Sequence, residues 1–165
     1  MALNHALIGE LNYEASLTRK ILERVPMDKK DWKPHEKSMT LGRLATHIAE
    51  TIHWISVILG EDVFDFNTNP SPRGRTAASS EELLSILDQN LEEATRALKE
   101  ADDEKLNSNW QVKRGEQVMM NSPRKVAIRG WALSHQFHHR GQLTVYLRLL
   151  DIPVPGMYGP SADEK

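Results

Sequence analysis

The chain has no cysteine. Disulfides, thiolate metal sites and a cysteine nucleophile are excluded together, and the absence fits a reducing compartment. No apolar run approaches the ~20 residues that a membrane-spanning helix needs. Basic excess is missing too. Lys and Arg total 21 against 23 Asp and Glu, for a net charge of −2, and no long basic run invites nucleic acid or anionic lipid. The first residues, Met1-Ala2-Leu3-Asn4-His5, lack the basic stretch and apolar core of a secretory leader, and Glu10 places a charge soon after them. No repeat, low-complexity tract or linker divides the 165 residues. The expectation is one soluble, cytoplasmic domain over residues 1–165, with no nucleic-acid or membrane partner.

What the chain does have is helical periodicity almost throughout. Leu7, Leu11, Ala15, Thr18, Leu22 and Val25 form one stripe, closed by Pro26. Leu41, Leu44, Ala45, Ile48, Ile52, Ile55 and Leu59 form a second, with Thr40 as N-cap and Gly60 at its end. A third helix runs from Ser79 or Ser80 to about Ala101, with Ser79 and Glu82 at capping-box spacing and a stripe of Leu84, Leu87, Leu91, Ala94, Leu98 and Ala101. The fourth is expected to open at Ser122-Pro123, reach about Leu150 and stop before Pro153 and Pro155. Four long amphipathic helices predict an all-α, antiparallel four-helix bundle. Its connections are long. Residues 62–78, with Pro70, Pro72 and Gly74, read as a crossover loop. Alternation around Gly115 is compatible with a small hairpin between helices 3 and 4. The stretch 153–160 is expected to fold back over the end of the bundle.

Chemistry concentrates in Ser134-His135-Gln136-Phe137-His138-His139-Arg140-Gly141-Gln142-Leu143. His135 and His139 are four residues apart, about 40° around a helix axis, so one face can present both imidazoles to one divalent ion. They lie on the inward line Ile128, Ala132, His135, His139, Leu143, Tyr146 and Leu150. His138 is turned about 100° from His139 and reads as a flanking or supporting group. His47 sits at the edge of the second stripe, whereas His53 points outward from it. A His pair alone serves equally well as hydrogen-bonded core. A third imidazole from a facing helix converts it into a ligand set, and His47 is the candidate. Three neutral imidazoles leave coordination positions open, as a Lewis-acid centre requires. Glu50, one turn after His47, suits either a ligand-orienting or basic role or a solvated helix edge. Arg140 suits either an anionic substrate or a carboxylate partner. Gln142 and Tyr146 are candidates for the pocket lining or for core bonding, and Trp131, one turn before His135, for a pocket wall.

The stretch from Leu133 to Arg148, its continuation from Ile152 to Glu164, and the block Leu41-Gly42-Arg43-Leu44-Ala45-Thr46-His47-Ile48-Ala49-Glu50 together resemble the DinB-like (damage-inducible, YfiT-like) superfamily of metal-binding four-helix bundles. The resemblance covers nearly the whole chain. It implies metal ligation by His47, His135 and His139, a divalent ion such as zinc or nickel, and a homodimer. It also implies a fold relationship to thiol transferases that use bacillithiol and to mycothiol-dependent isomerases. The lack of cysteine is compatible with such chemistry, because the nucleophilic thiol belongs to the cosubstrate.

Two functions are expected on these grounds. One is a metal-dependent enzyme of thiol S-transferase or hydrolase type, acting with a low-molecular-weight thiol or another small substrate. The other is a non-catalytic stress-response or interaction module in which the metal fastens helix 2 to helix 4. A nucleic-acid-binding role has only the damage-inducible label behind it, and the charge balance opposes it.

Overall fold

The computed structural model describes residues 2–69 and 75–164. Pro70, Pro72 and Gly74 of the expected crossover loop lie outside the described residues. The chain is mostly helical, but a three-stranded sheet corrects the all-α expectation.

Helix α1 (Leu3–Leu22) buries Leu7, Leu11, Ala15, Thr18 and Leu22, and Val25 is buried just beyond it. Helix α2 (Leu41–Glu50) starts at Thr40, whose hydroxyl accepts from the Arg43 N–H at 3.3 Å. The single helix expected to Gly60 is interrupted at Thr51–Ile52, and α3 spans His53–Gly60. One apolar face crosses the break, with Ile48, Ile52, Ile55 and Leu59 all buried. The break has a consequence for the site. A helix end leaves carbonyls without intrahelical partners. The Ile48 carbonyl accepts from the Thr51 hydroxyl at 2.7 Å and from Gln136 Nε2 at 3.3 Å. The Ala49 carbonyl accepts from Asn90 Nδ2 at 3.0 Å. Side chains from two other helices thus hold α2 in place beside His47.

A short strand, β1 (Val63–Asp65), lies within the expected crossover loop. Helix α4 (Ser80–Glu100) begins at the expected cap, with Ser79 accepting from the Glu82 N–H at 3.2 Å. The Glu82 carboxylate reaches the Ala78 N–H at 2.7 Å. Leu87, Ala94 and Leu98 are buried as expected. Leu83 takes an inner place that the stripe assigned to Leu84. α4 packs against α1, α2 and α3.

Helix α5 (Asp103–Asn107), capped by Asp102, leads into the hairpin of β2 (Asn109–Arg114) and β3 (Gln117–Pro123). β1 pairs parallel to β2, giving the order β1-β2-β3. Gly115 turns the hairpin at φ 59°, a backbone region open to glycine at no steric cost. Phe64, Trp110 and Val112 are buried. The β2–β3 hairpin around Gly115 is the one expected, whereas β1 reads as loop from the sequence because its partner β2 lies beyond α4.

The last helix does not open at Ser122. Residues 117–123 form β3, and Pro123 is the extended residue before the first turn. From there α6 (Arg124–Ala127), a π-helical stretch (Ile128–Ser134) and α7 (His135–Leu149) run without interruption. Arg124, 1% exposed, donates to the carbonyls of Ile58, Asn109 and Glu61 at 2.9, 2.6 and 3.1 Å, tying this helix start to the end of α3 and to the sheet. The C-terminal stretch folds back as expected. Ile152, Val154 and Met157 pack on the core, and the Tyr158 hydroxyl donates to Glu14 Oε2 at 2.8 Å. Among the described residues no helix is long and apolar enough to cross a membrane.

Candidate metal centre

His47 comes from α2, and His135 and His139 come from the first two turns of α7. One nitrogen of each ring lies within 4.8 Å of the others. The Nε2 atoms of His47 and His135 are 3.2 Å apart. Two imidazole lone pairs at that distance repel unless a proton sits on one of them or a cation is shared by both. Tetrahedral zinc with Zn–N bonds near 2.1 Å would separate its ligand nitrogens by about 3.4 Å, so the spacing fits a shared divalent ion.

Outer nitrogens set the direction of two rings. His139 Nδ1 is 2.7 Å from Gln142 Oε1, an acceptor that holds the proton on Nδ1 and leaves Nε2 free to ligate. His135 stands directly after the π-helical stretch Ile128–Ser134. Such stretches often accompany functional sites because they reposition side chains. The outer nitrogen of His47 faces the Arg43 guanidinium at 3.5 Å, and Arg43 in turn pairs with Glu50 at 2.9 Å.

The three imidazoles are poor bases. Burial, followed by the neighbouring His139, His135 and Arg43, lowers His47 to about 4. Burial also lowers His135 and His139, against the opposing bonds to Trp131 and Gln142. All three are therefore neutral near pH 7, the state a metal ligand requires.

His47 and His135 also line a cavity of about 500 Å³, within the range of small-molecule sites. Trp131 walls it, as the sequence suggested, and Glu50 lines it beside Arg43. Arg140 turns elsewhere. It is 2% exposed, pairs with Glu14 at 2.6 Å and donates to Thr18 Oγ1 at 3.2 Å. Of the two roles open to it, the carboxylate partner is the one observed. Tyr146 is core, its hydroxyl donating to the Met39 carbonyl at 3.2 Å. Gln142 neither lines the cavity nor bridges helices, but braces His139 on its own helix. His138 is exposed, its ring 4.9 Å from that of His139. Sequence reasoning assigned no site role to Arg43, Trp54, Phe64, Phe66 or Gln136. Arg43 and Gln136 are one turn from or next to a candidate ligand, which was an available signal. Phe64 and Phe66 carried none, since their approach depends on β1.

Fold and site together define a mostly helical protein with a three-histidine cluster able to hold a metal ion. The chain belongs to the DinB family, whose profile matches residues 2–165. It is 26% identical to the uncharacterized protein YjoA of Bacillus subtilis over 151 residues, 90% of this chain and 91% of that one. It is 27% identical to the uncharacterized protein YrdA of the same organism over 157 residues, covering 92% and 86%. Its fold is similar to that of a DinB-like protein from Bacillus cereus, with a TM-score of 0.73 and 24% identity over 95% of this chain and 98% of that one. The crystal structure of YjoA is similar with a TM-score of 0.70 and 18% identity, covering 97% and 99%.

Proposed function

We propose that the protein binds one divalent metal ion, zinc or nickel, through His47, His135 and His139, and acts as a metal-dependent enzyme of thiol S-transferase or hydrolase type. The observation that carries this reading is the convergence of three neutral imidazoles, two of which, His47 and His135, line a cavity large enough for a small molecule. A bound divalent ion supplies Lewis acidity toward water or a low-molecular-weight thiol. The chain's own residues do the rest. Gln142 orients the His139 ring, Arg43 and Glu50 set the charge beside His47, and the aromatic wall limits water. The same reading takes the helices as an antiparallel four-helix bundle with an added sheet, working as a homodimer in the cytoplasm.

Metal uptake tests it. Equilibrium dialysis against zinc and nickel is expected to give one ion per chain, lost in His47→Ala, His135→Ala and His139→Ala. Undiminished uptake by all three variants would refute the ligand set.

A second reading has one observation in its favour: the candidate ligands join α2 to α7, so an ion there would fasten two helices. Under that reading the ion is structural and chelation unfolds the protein. Under the enzymatic reading the chelated protein keeps its helical circular dichroism and its cooperative melt.

A further inference from the structure

The cavity beside the three histidines has two chemically distinct sides. One is a set of aromatic rings packed edge to face. Trp54 lies 4.9 Å from Phe64, 5.6 Å from Trp131 and 6.5 Å from Phe66, centroid to centroid. Trp54, Phe66 and Trp131 remain partly exposed, and all of them border the cavity. Such a wall favours a flat apolar body, which can stack or meet the rings edge-on.

The other side is charged. Arg43 and Arg75 line it, and Glu50 is the sole carboxylate among its described lining residues. Glu50 is already paired with Arg43 at 2.9 Å, and Arg75 with Glu82 at 2.6 Å. The side chains therefore balance among themselves. A dication held by three uncharged imidazoles would add two positive charges with no carboxylate among its ligands. An anionic ligand group completes that balance at low dielectric, and a second cation is repelled.

The two sides meet at the histidines. Arg43 is 3.5 Å from His47, and Trp131 and His135, one turn apart, both line the cavity. A ligand that uses both sides places its anion at the His47 end and its ring along Trp131, Trp54 and Phe66.

We propose that this cavity is a binding site for small aromatic carboxylates, the carboxylate seated between Arg43 and the three-histidine centre and the ring against the Trp54–Phe66–Trp131 wall. The inference rests on the metal-centre reading and extends it to a substrate class.

The test uses the full chain, metal-free and zinc-loaded, with zinc content measured independently. The probes are 2-naphthoate, its neutral counterpart 2-naphthalenemethanol, and acetate, titrated by tryptophan fluorescence and calorimetry. Zinc-loaded protein is expected to bind 2-naphthoate at least about 10-fold more tightly than either comparison compound, as a charged and an apolar contact together require. Phe66→Leu keeps apolar volume without the ring. It is expected to weaken 2-naphthoate by about 5-fold at unchanged zinc content. Zinc bound at the histidines with no saturable 2-naphthoate binding, or with equal affinity for the alcohol, overturns this proposal and leaves the metal centre standing. Absence of zinc uptake at His47, His135 and His139 overturns the metal reading, and this proposal with it.

Discussion

Gln142 offers a direct test of how the site is held. Its Oε1 accepts from His139 Nδ1 at 2.7 Å and so fixes that ring's tautomer. Gln142→Met preserves length and removes the acceptor. The proton on Nδ1 then loses the partner that favours it, and Nε2 is less often the free lone pair. Groups in this position are worth 10- to 100-fold in metal affinity. Gln142 is exposed, so water competes for the same nitrogen and the low end applies. The expectation is a loss of about 10-fold, or ~1.4 kcal/mol. Gln142→Glu substitutes an anionic acceptor, whose hydrogen bond is about twice as strong, and should tighten binding. Zinc affinity measured by competition with a chromophoric chelator near neutral pH reads both changes. The metal-free protein should melt almost as before in each case, because an exposed side chain contributes little to folding. Unaltered affinity in Gln142→Met, alongside abolished binding in His139→Ala, would refute the orienting role.

Further consequences concern the scaffold and its charge. The Arg140–Glu14 pair is almost fully enclosed, with side-chain exposures of 3% and 7%. Glu14→Leu leaves a buried guanidinium unpaired and should cost about 3–5 kcal/mol in urea unfolding, most of it recovered by adding Arg140→Met. Recovery of none of it would mean that the cost lies in packing rather than charge. Gly42 admits no side chain: a Cβ there would meet Lys30 Cβ and Thr76 Cγ2, both at 2.8 Å. Gly42→Ala should destabilise by about 1–3 kcal/mol, and an unchanged melt would contradict this. His47 is lowered to about 4 from 6.5, so between those values the unfolded chain binds more protons than the folded one. Stability of the chelated protein should be fully present above pH 6.5 and fall as pH drops toward 4. Denaturation midpoints across that window check the sign, and a rise in stability on acidification would be inconsistent with it.

The three histidines were legible in the sequence because periodicity and ligand chemistry agree on them. His135 and His139 share a face by their spacing alone, and His47 borders the apolar stripe of its helix. The roles of Arg140 and Gln142 were not legible. A guanidinium at the edge of a helix face can turn toward a substrate or toward a carboxylate, and the choice depends on Glu14, 126 residues away. The same limit concealed β1, though not the hairpin around Gly115, since the partner of β1 lies beyond α4 in the sequence.

Helical identity, the two caps at Thr40 and Ser79, and the inward-facing stripes were settled by the chain's own order of residues, because those are local properties of a helix and its first turn. Distance in space decided the remainder. The carbonyls at the break near Glu50 are satisfied by side chains from remote helices, and the strand that replaced the expected helix start at Ser122 is satisfied by pairing across the hairpin with β2. Local pattern can nominate groups for a site. Only packing brings their nitrogens within reach of one another, because helix adjacency and rotation are set by the whole core at once.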